Sequence, residues 1–186
     1  MKETKIATRY AKSIFAIALE KNIVIDISND MEVIRNIGNS NRDIIIFLKN
    51  PIIKHSKKVD VLNSIFTDLN ETTKNFIQFL LDKNREAFLI NIAEEFIKLA
   101  NEYQNIKVVN LTTSSKISDE FKTTLVNFTK KIIDKDSTIQ IKEIINENII
   151  GGFKLFVDNQ LYDASLERKV NVLKREFSQN LYKKTK

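Results

Sequence analysis

Ile106-Lys107-Val108-Val109-Asn110-Leu111-Thr112-Thr113 is where this chain stops reading as helix and starts reading as sheet. Five of the eight residues are β-branched, and apolar and polar positions partly alternate, as in a half-buried strand. The hundred residues before it read as helices throughout. The break near Asn105 therefore divides the chain into residues 1–105 and residues 106–186.

Upstream of the break, Thr4 to Glu20 is one strongly periodic helical segment, and Ile23 to Asn39 is a second, weaker one. Asn41 is placed to cap a short third helix, Asp43 to Lys49, that stops before Asn50-Pro51. Ser56 to Phe66 carries Val59, Leu62, Ile65 and Phe66 at helical spacing. Asn70 is placed to cap Glu71 to Lys83, after which Asn84 tolerates the left-handed conformation of a helix end. Glu86 to Tyr103 reads as the longest helix. Six helices with short connections describe an antiparallel bundle.

Downstream, Ser118 caps a helix from Asp119 to Ile133 whose acidic first turn complements the helix dipole. Thr138 to Lys142 alternates as a strand. Ile149 to Val157 and Gln160 to Tyr162 read as two strands flanking a hairpin turn at Asp158-Asn159. Gly151 and Gly152 fall inside the first of these. A strand interior is a costly place for glycine, so the pair is expected to bend or bulge the strand and to bind no ligand. A narrow apolar stripe, Leu166, Val170, Leu173, Phe177 and Leu181, marks a basic final helix. The fold class is thus α+β, mostly α, with a second part of about four strands and two helices.

The residues offer little chemistry. The chain has 186 residues, no cysteine and one histidine, His55, which excludes disulfides and the usual zinc sites. His55 sits in a connector without a neighbouring carboxylate cluster and reads as a surface histidine. Gly151-Gly152 is followed by Phe153-Lys154, not by the Lys-Ser or Lys-Thr of a phosphate loop. Ser13, Ser56 and Ser165 lack the glycines of a nucleophile elbow. Asp158 and Asp163 bracket a hairpin and read as turn residues. No catalytic residue, metal or cofactor is expected. No apolar run is long enough to span a membrane, and the N-terminus does not read as a secretory signal.

Net charge is +6, concentrated late: seven basic residues and one acidic one lie between Arg168 and the end. A small nucleic-acid-binding module using this last helix is therefore an alternative reading. Against it stand the absence of tryptophan, of an aromatic pair on a strand and of a glycine-rich clamp loop.

The first helix is more telling. At about 100° per residue, Ile6, Tyr10, Ile14 and Ile17 lie on one flank. Ala7, Ala11 and Ala18 lie in the middle, and Phe15 and Leu19 on the other flank. The apolar arc spans roughly 220°, about twice what one buried face needs, and its alanine centre lets another backbone approach closely. Phe76-Ile77-Gln78-Phe79-Leu80-Leu81 is also apolar around most of its circumference. Two such helices are either central helices of the bundle or the walls of a groove for a partner helix.

Several blocks together resemble one family. Ala7-Thr8-Arg9-Tyr10-Ala11-Lys12-Ser13-Ile14-Phe15 is similar to its opening Arg-Tyr-Ala-Lys-Ala-Leu-Phe. Phe79-Leu80-Leu81-Asp82-Lys83-Asn84-Arg85 is similar to its segment ending Asn-Gly-Arg. Ile149-Ile150-Gly151-Gly152-Phe153 and Tyr162-Asp163-Ala164-Ser165-Leu166 are similar to its Ile-Gly-Gly-Phe and Ile-Asp-Gly-Ser-Val. Asn50-Pro51-Ile52-Ile53 also fits. Ala164 and Arg168 stand where glycines are usual. In family order over nearly the whole chain, these blocks resemble the delta subunit of bacterial F-type ATP synthases, related to the mitochondrial oligomycin sensitivity-conferring protein.

The resemblance implies a non-catalytic stator subunit, peripheral on the cytoplasmic face of the bacterial inner membrane and present once per complex. Residues 1–105 would bind N-terminal helices of the catalytic head's alpha subunits. Residues 106–186 would meet the C-terminal ends of the stalk's b subunits. It implies no nucleic acid and only indirect contact with the membrane. A groove between the first and fifth helices would use Tyr10, Ala11, Ile14, Ala18, Phe76, Phe79 and Leu80. The link would resist rotor torque during proton-driven ATP synthesis.

Overall fold

The computed structural model describes residues 2–132, 137–157 and 160–183. It divides into two compact units, Met1–Gln104 and Asn105–Lys186. Among the described residues the first unit holds six α-helices: α1 (Lys2–Glu20), α2 (Val24–Ser40), α3 (Arg42–Lys49), α4 (His55–Ile65), α5 (Glu71–Asp82) and α6 (Leu89–Tyr103). A 3₁₀ turn, Glu86–Phe88, precedes α6. The segment from Glu86 is therefore not one continuous helix, and α1, with 19 residues, exceeds the 15 of α6.

The core of this unit is built on the alanine centre of α1. Ala7, Ala11 and Ala18 are fully buried, as are Ile92, Ala93 and Phe96 of α6. Small side chains on both helices allow close approach, and Phe15 closes the contact edge-to-face with Phe96, ring centres 5.7 Å apart. The Thr8 hydroxyl adds a hydrogen bond to Glu95 across the same pair. Helix ends follow local chemistry. Asn70 accepts the Thr72 N–H at 2.9 Å and caps α5, and Asn84 takes φ 53° behind it. Asn41 occupies the expected cap position of α3, but its side-chain amide turns back and donates to Ile37 O at the end of α2.

The second unit is a mixed four-stranded sheet in the order β2-β1-β3-β4. The strands are β1 (Ile106–Thr113), β2 (Thr138–Ile145), β3 (Phe153–Val157) and β4 (Gln160–Asp163). β1 and β2 pair in parallel across α7 (Asp119–Ile132), whereas β1–β3 and β3–β4 are antiparallel. Alternate positions Val109, Leu111, Leu155 and Val157 bury against Leu125 of α7. Phe121 and Phe128 of α7 meet Phe153 and Tyr162 edge-to-face. The final helix is α8 (Leu166–Lys183), and Leu166, Val170, Leu173 and Phe177 of its apolar stripe are exposed. The hairpin residues Asp158-Asn159 lie outside the described residues.

The strand expected to start at Ile149 starts four residues later. Ile149–Gly152 is not strand; β3 begins at Phe153, and the glycine pair forms a bend in front of it. Gly152 has φ +80°, and a Cβ there would collide with the Ala164 carbonyl oxygen and lie 2.9 Å from Ser165 Cα. On either side, Leu166 N donates to Gly151 O at 3.0 Å and Ala164 N to Phe153 O at 2.9 Å. The glycines thus let the entry to β3 lie directly on the chain that starts α8, rather than bending a strand from within. Asp163 completes this junction, its carboxylate accepting the Ser165 N–H at 2.9 Å. Hydrogen bonding from Ser165 holds the Asp163 carboxyl below its ordinary range.

Candidate partner-binding groove

α1 and α5 enclose an apolar cavity of about 320 Å³ lined by Ser13, Ile14, Ile17, Lys21, Thr72, Asn75, Phe76 and Phe79. Its sequence origin is the flank of α1 beside the alanine stripe. The alanines face α6, which leaves Ile17 38% exposed, and Phe79 on the opposite wall is 43% exposed. At one end Tyr10 and Phe79 meet, ring centres 6.2 Å apart. At the other, Lys21 Nζ donates to Thr72 Oγ1 at 3.3 Å. The distance along α1 from Tyr10 to Lys21 is about three helical turns, roughly 16 Å.

α5 is held as the far wall by polar contacts at both ends. At its start, one oxygen of Asp30 on α2 accepts the Asn70 N–H at 2.9 Å and the Thr73 hydroxyl at 2.5 Å. Just past its end, Lys58 of α4 is buried between Glu86 Oε1 at 2.6 Å and Leu48 O at 3.0 Å. That ion pair fixes the turn after α5 to α3 and α4. These ties anchor α5 to its other neighbours, and the space between it and α1 stays open.

The structure sorts the expected groove residues. Ile14, Phe76 and Phe79 line the cavity, and Tyr10 closes one end of it. Ala11, Ala18 and Leu80 do not line it; each is fully buried in the helical core. A helical wheel marks an arc as apolar without saying which neighbour takes each part of it, and here α6 takes the alanines. Ser13, Ile17, Lys21, Thr72 and Asn75 were not anticipated. Ile17 carried a signal, since it lies on the same flank as Tyr10; the polar four carried none.

Little else invites chemistry. His55 opens α4 with its Nε2 3.5 Å from Asp82 Oδ1. Among the described residues no group of three His, Cys, Asp or Glu is placed to hold a metal, and no helix is long and apolar enough to cross a membrane.

Comparison with known proteins identifies the assembly. The family described as "ATP synthase delta (OSCP) subunit" matches residues 6–177. The fold and this match define the class: a subunit of a rotary ATP synthase. The ATP synthase subunit delta of Christiangramia forsetii is 35% identical over 182 residues, 98% of each chain. That of Cytophaga hutchinsonii is 33% identical, covering 97% of this chain and 98% of the relative. The chain belongs to the ATP synthase delta (OSCP) subunit family, and its role is that of a peripheral-stalk subunit. The fold agrees: a chain of the Toxoplasma gondii mitochondrial ATP synthase hexamer superimposes with a TM-score of 0.67 at 19% identity, over 92% of this chain and 96% of that one. None of these comparisons supports the nucleic-acid reading.

Proposed function

We propose that the groove between α1 and α5 receives an N-terminal helix of an alpha subunit of the catalytic head. On this reading the first unit is a six-helix antiparallel bundle that grips the head. The second unit meets the C-terminal ends of the b subunits. The subunit works without catalysis, one copy per complex, on the cytoplasmic face of the bacterial inner membrane. The observation that carries the proposal is the open apolar cavity, with Ile17 and Phe79 exposed on facing walls of a helix pair. A helix laid there would bury its apolar face at about 25 cal/mol per Å² before association costs. Because the groove walls are tied to α6, α2 and α4, a pull on the docked helix passes into the whole unit, as a torque-bearing link requires.

The test is a pull-down of the full chain with a peptide of the alpha subunit's N-terminal helix. Phe79→Asp removes an aromatic wall and puts a carboxylate on it. Loss of a buried aromatic side chain is worth about 1.5–3 kcal/mol, so binding weakens at least tenfold. Unchanged capture by the variant would reject the groove.

A further inference from the structure

The two ends of the groove differ in charge. At the Lys21–Thr72 end the cation is hydrogen-bonded, and Glu20 and Glu71 are its companions in sequence. Beyond the Tyr10–Phe79 contact lies a second cavity of about 210 Å³, lined by Lys5, Ile6, Arg9, Tyr10 and Arg85. No carboxylate lines it. None of the three cations makes an ion pair among the described residues. Lys83 adds a fourth positive charge on the adjoining wall, its Nζ 5.8 Å from the Phe79 ring centre. Lys5 and Arg9 are one turn apart on α1, a spacing at which like charges destabilise a helix. Among the described residues no carboxylate ion-pairs with these cations to offset the repulsion, and the apolar groove beside them is itself open.

We propose that the helix occupying the groove carries carboxylates at one end of its apolar stripe, and that this acidic end lies over Lys5, Arg9 and Arg85. The inference rests on the groove being a helix-docking site. It adds what the apolar contacts alone leave free: the direction in which the partner helix lies. An apolar stripe of about three turns fits the groove either way round, whereas only one orientation brings its carboxylates to the cations. Exposed charges act chiefly on encounter, so the cluster speeds association more than it slows release.

The experiment measures association and dissociation rates of the full chain with the alpha subunit's N-terminal peptide, from about 0.05 to 0.5 M salt. Wild type is expected to associate more slowly as salt rises. Arg9→Glu with Arg85→Glu, both exposed positions, is expected to cut the association rate about tenfold and abolish its salt dependence, with dissociation little changed. Replacing the peptide's Asp and Glu by Gln should reproduce that loss. Association that is salt-independent and unaffected by the double variant overturns the proposal. So does a docking helix lacking Asp and Glu at both ends. Binding of the wild-type chain to anionic vesicles that the double variant loses, with peptide rates unchanged, assigns the cluster to a lipid surface instead. Phe79→Asp separates the two ideas. If it leaves peptide binding intact, the groove reading fails. If it abolishes binding while the rates ignore salt, the groove stands and the acidic-end proposal fails.

Discussion

Gly152→Ala tests the junction between β3 and α8. Two costs follow from the geometry. An alanine held at φ +80° loses about 1–2 kcal/mol relative to glycine in the left-handed region. Its Cβ also collides with backbone, the Ala164 carbonyl oxygen and Ser165 Cα, and backbone yields only if the two segments separate. Separation strains the Leu166 N–Gly151 O and Ala164 N–Phe153 O hydrogen bonds, each worth about 1 kcal/mol net. The sum is about 3–4 kcal/mol if both bonds are lost. Gly151→Ala is the control, because its Cβ would meet only the tip of the Leu166 side chain, Cδ1 at 2.8 Å, which can rotate away. Urea denaturation of the full chain, with amide exchange followed at Ala164 and Leu166, reads both effects. Gly152→Ala should lower stability and accelerate exchange at those amides far more than Gly151→Ala. Equal and small effects from both substitutions would refute the account of the glycine pair.

Two further outcomes follow from the first unit. Lys58→Met leaves Glu86 charged and buried without its cation, and should cost about 3–5 kcal/mol; Lys58→Met combined with Glu86→Leu should recover most of that, measured by urea midpoint. Full additivity of the two single substitutions would contradict the ion-pair reading. On α6, the hydrogen bond from Lys98 holds the Glu95 carboxyl below its ordinary range, helped by Lys98's charge and the Thr8 hydroxyl. A carboxylate depressed in the folded state stabilises above the ordinary glutamate range and loses that contribution as pH falls below it. The stability difference between wild type and Glu95→Gln should therefore shrink on acidification, and a difference independent of pH would count against the Lys98–Glu95–Thr8 link.

The elements that sequence reading located best are those decided within one turn of chain. Asn70 and Asn84 bracket α5 as their side-chain and backbone chemistry requires, and the β-branched run Ile106–Thr113 is β1 residue for residue. The misplacements arise where a distant partner decides. Ile149–Gly152 looks strand-like by composition, but the Gly151 carbonyl is claimed by Leu166 at the start of α8 instead of a sheet neighbour. Asn41 is a good cap by type, yet the end of α2 captures its amide first. In the groove, Ala11 and Ala18 belong to the apolar arc of α1, and only the position of α6 shows that they face inward. Ala11→Arg would therefore disrupt the core, and Ile17→Asp is the better probe of the groove's α1 wall.

The most direct measurement maps where an alpha-subunit N-terminal peptide touches the full chain, by amide chemical-shift changes on titration. Docking in the groove predicts changes concentrated at Ser13, Ile17, Lys21, Thr72, Asn75 and Phe79, lost together in Ile17→Asp and Phe79→Asp. Peptide binding that leaves those amides unmoved and shifts residues of α7 or α8 would contradict it.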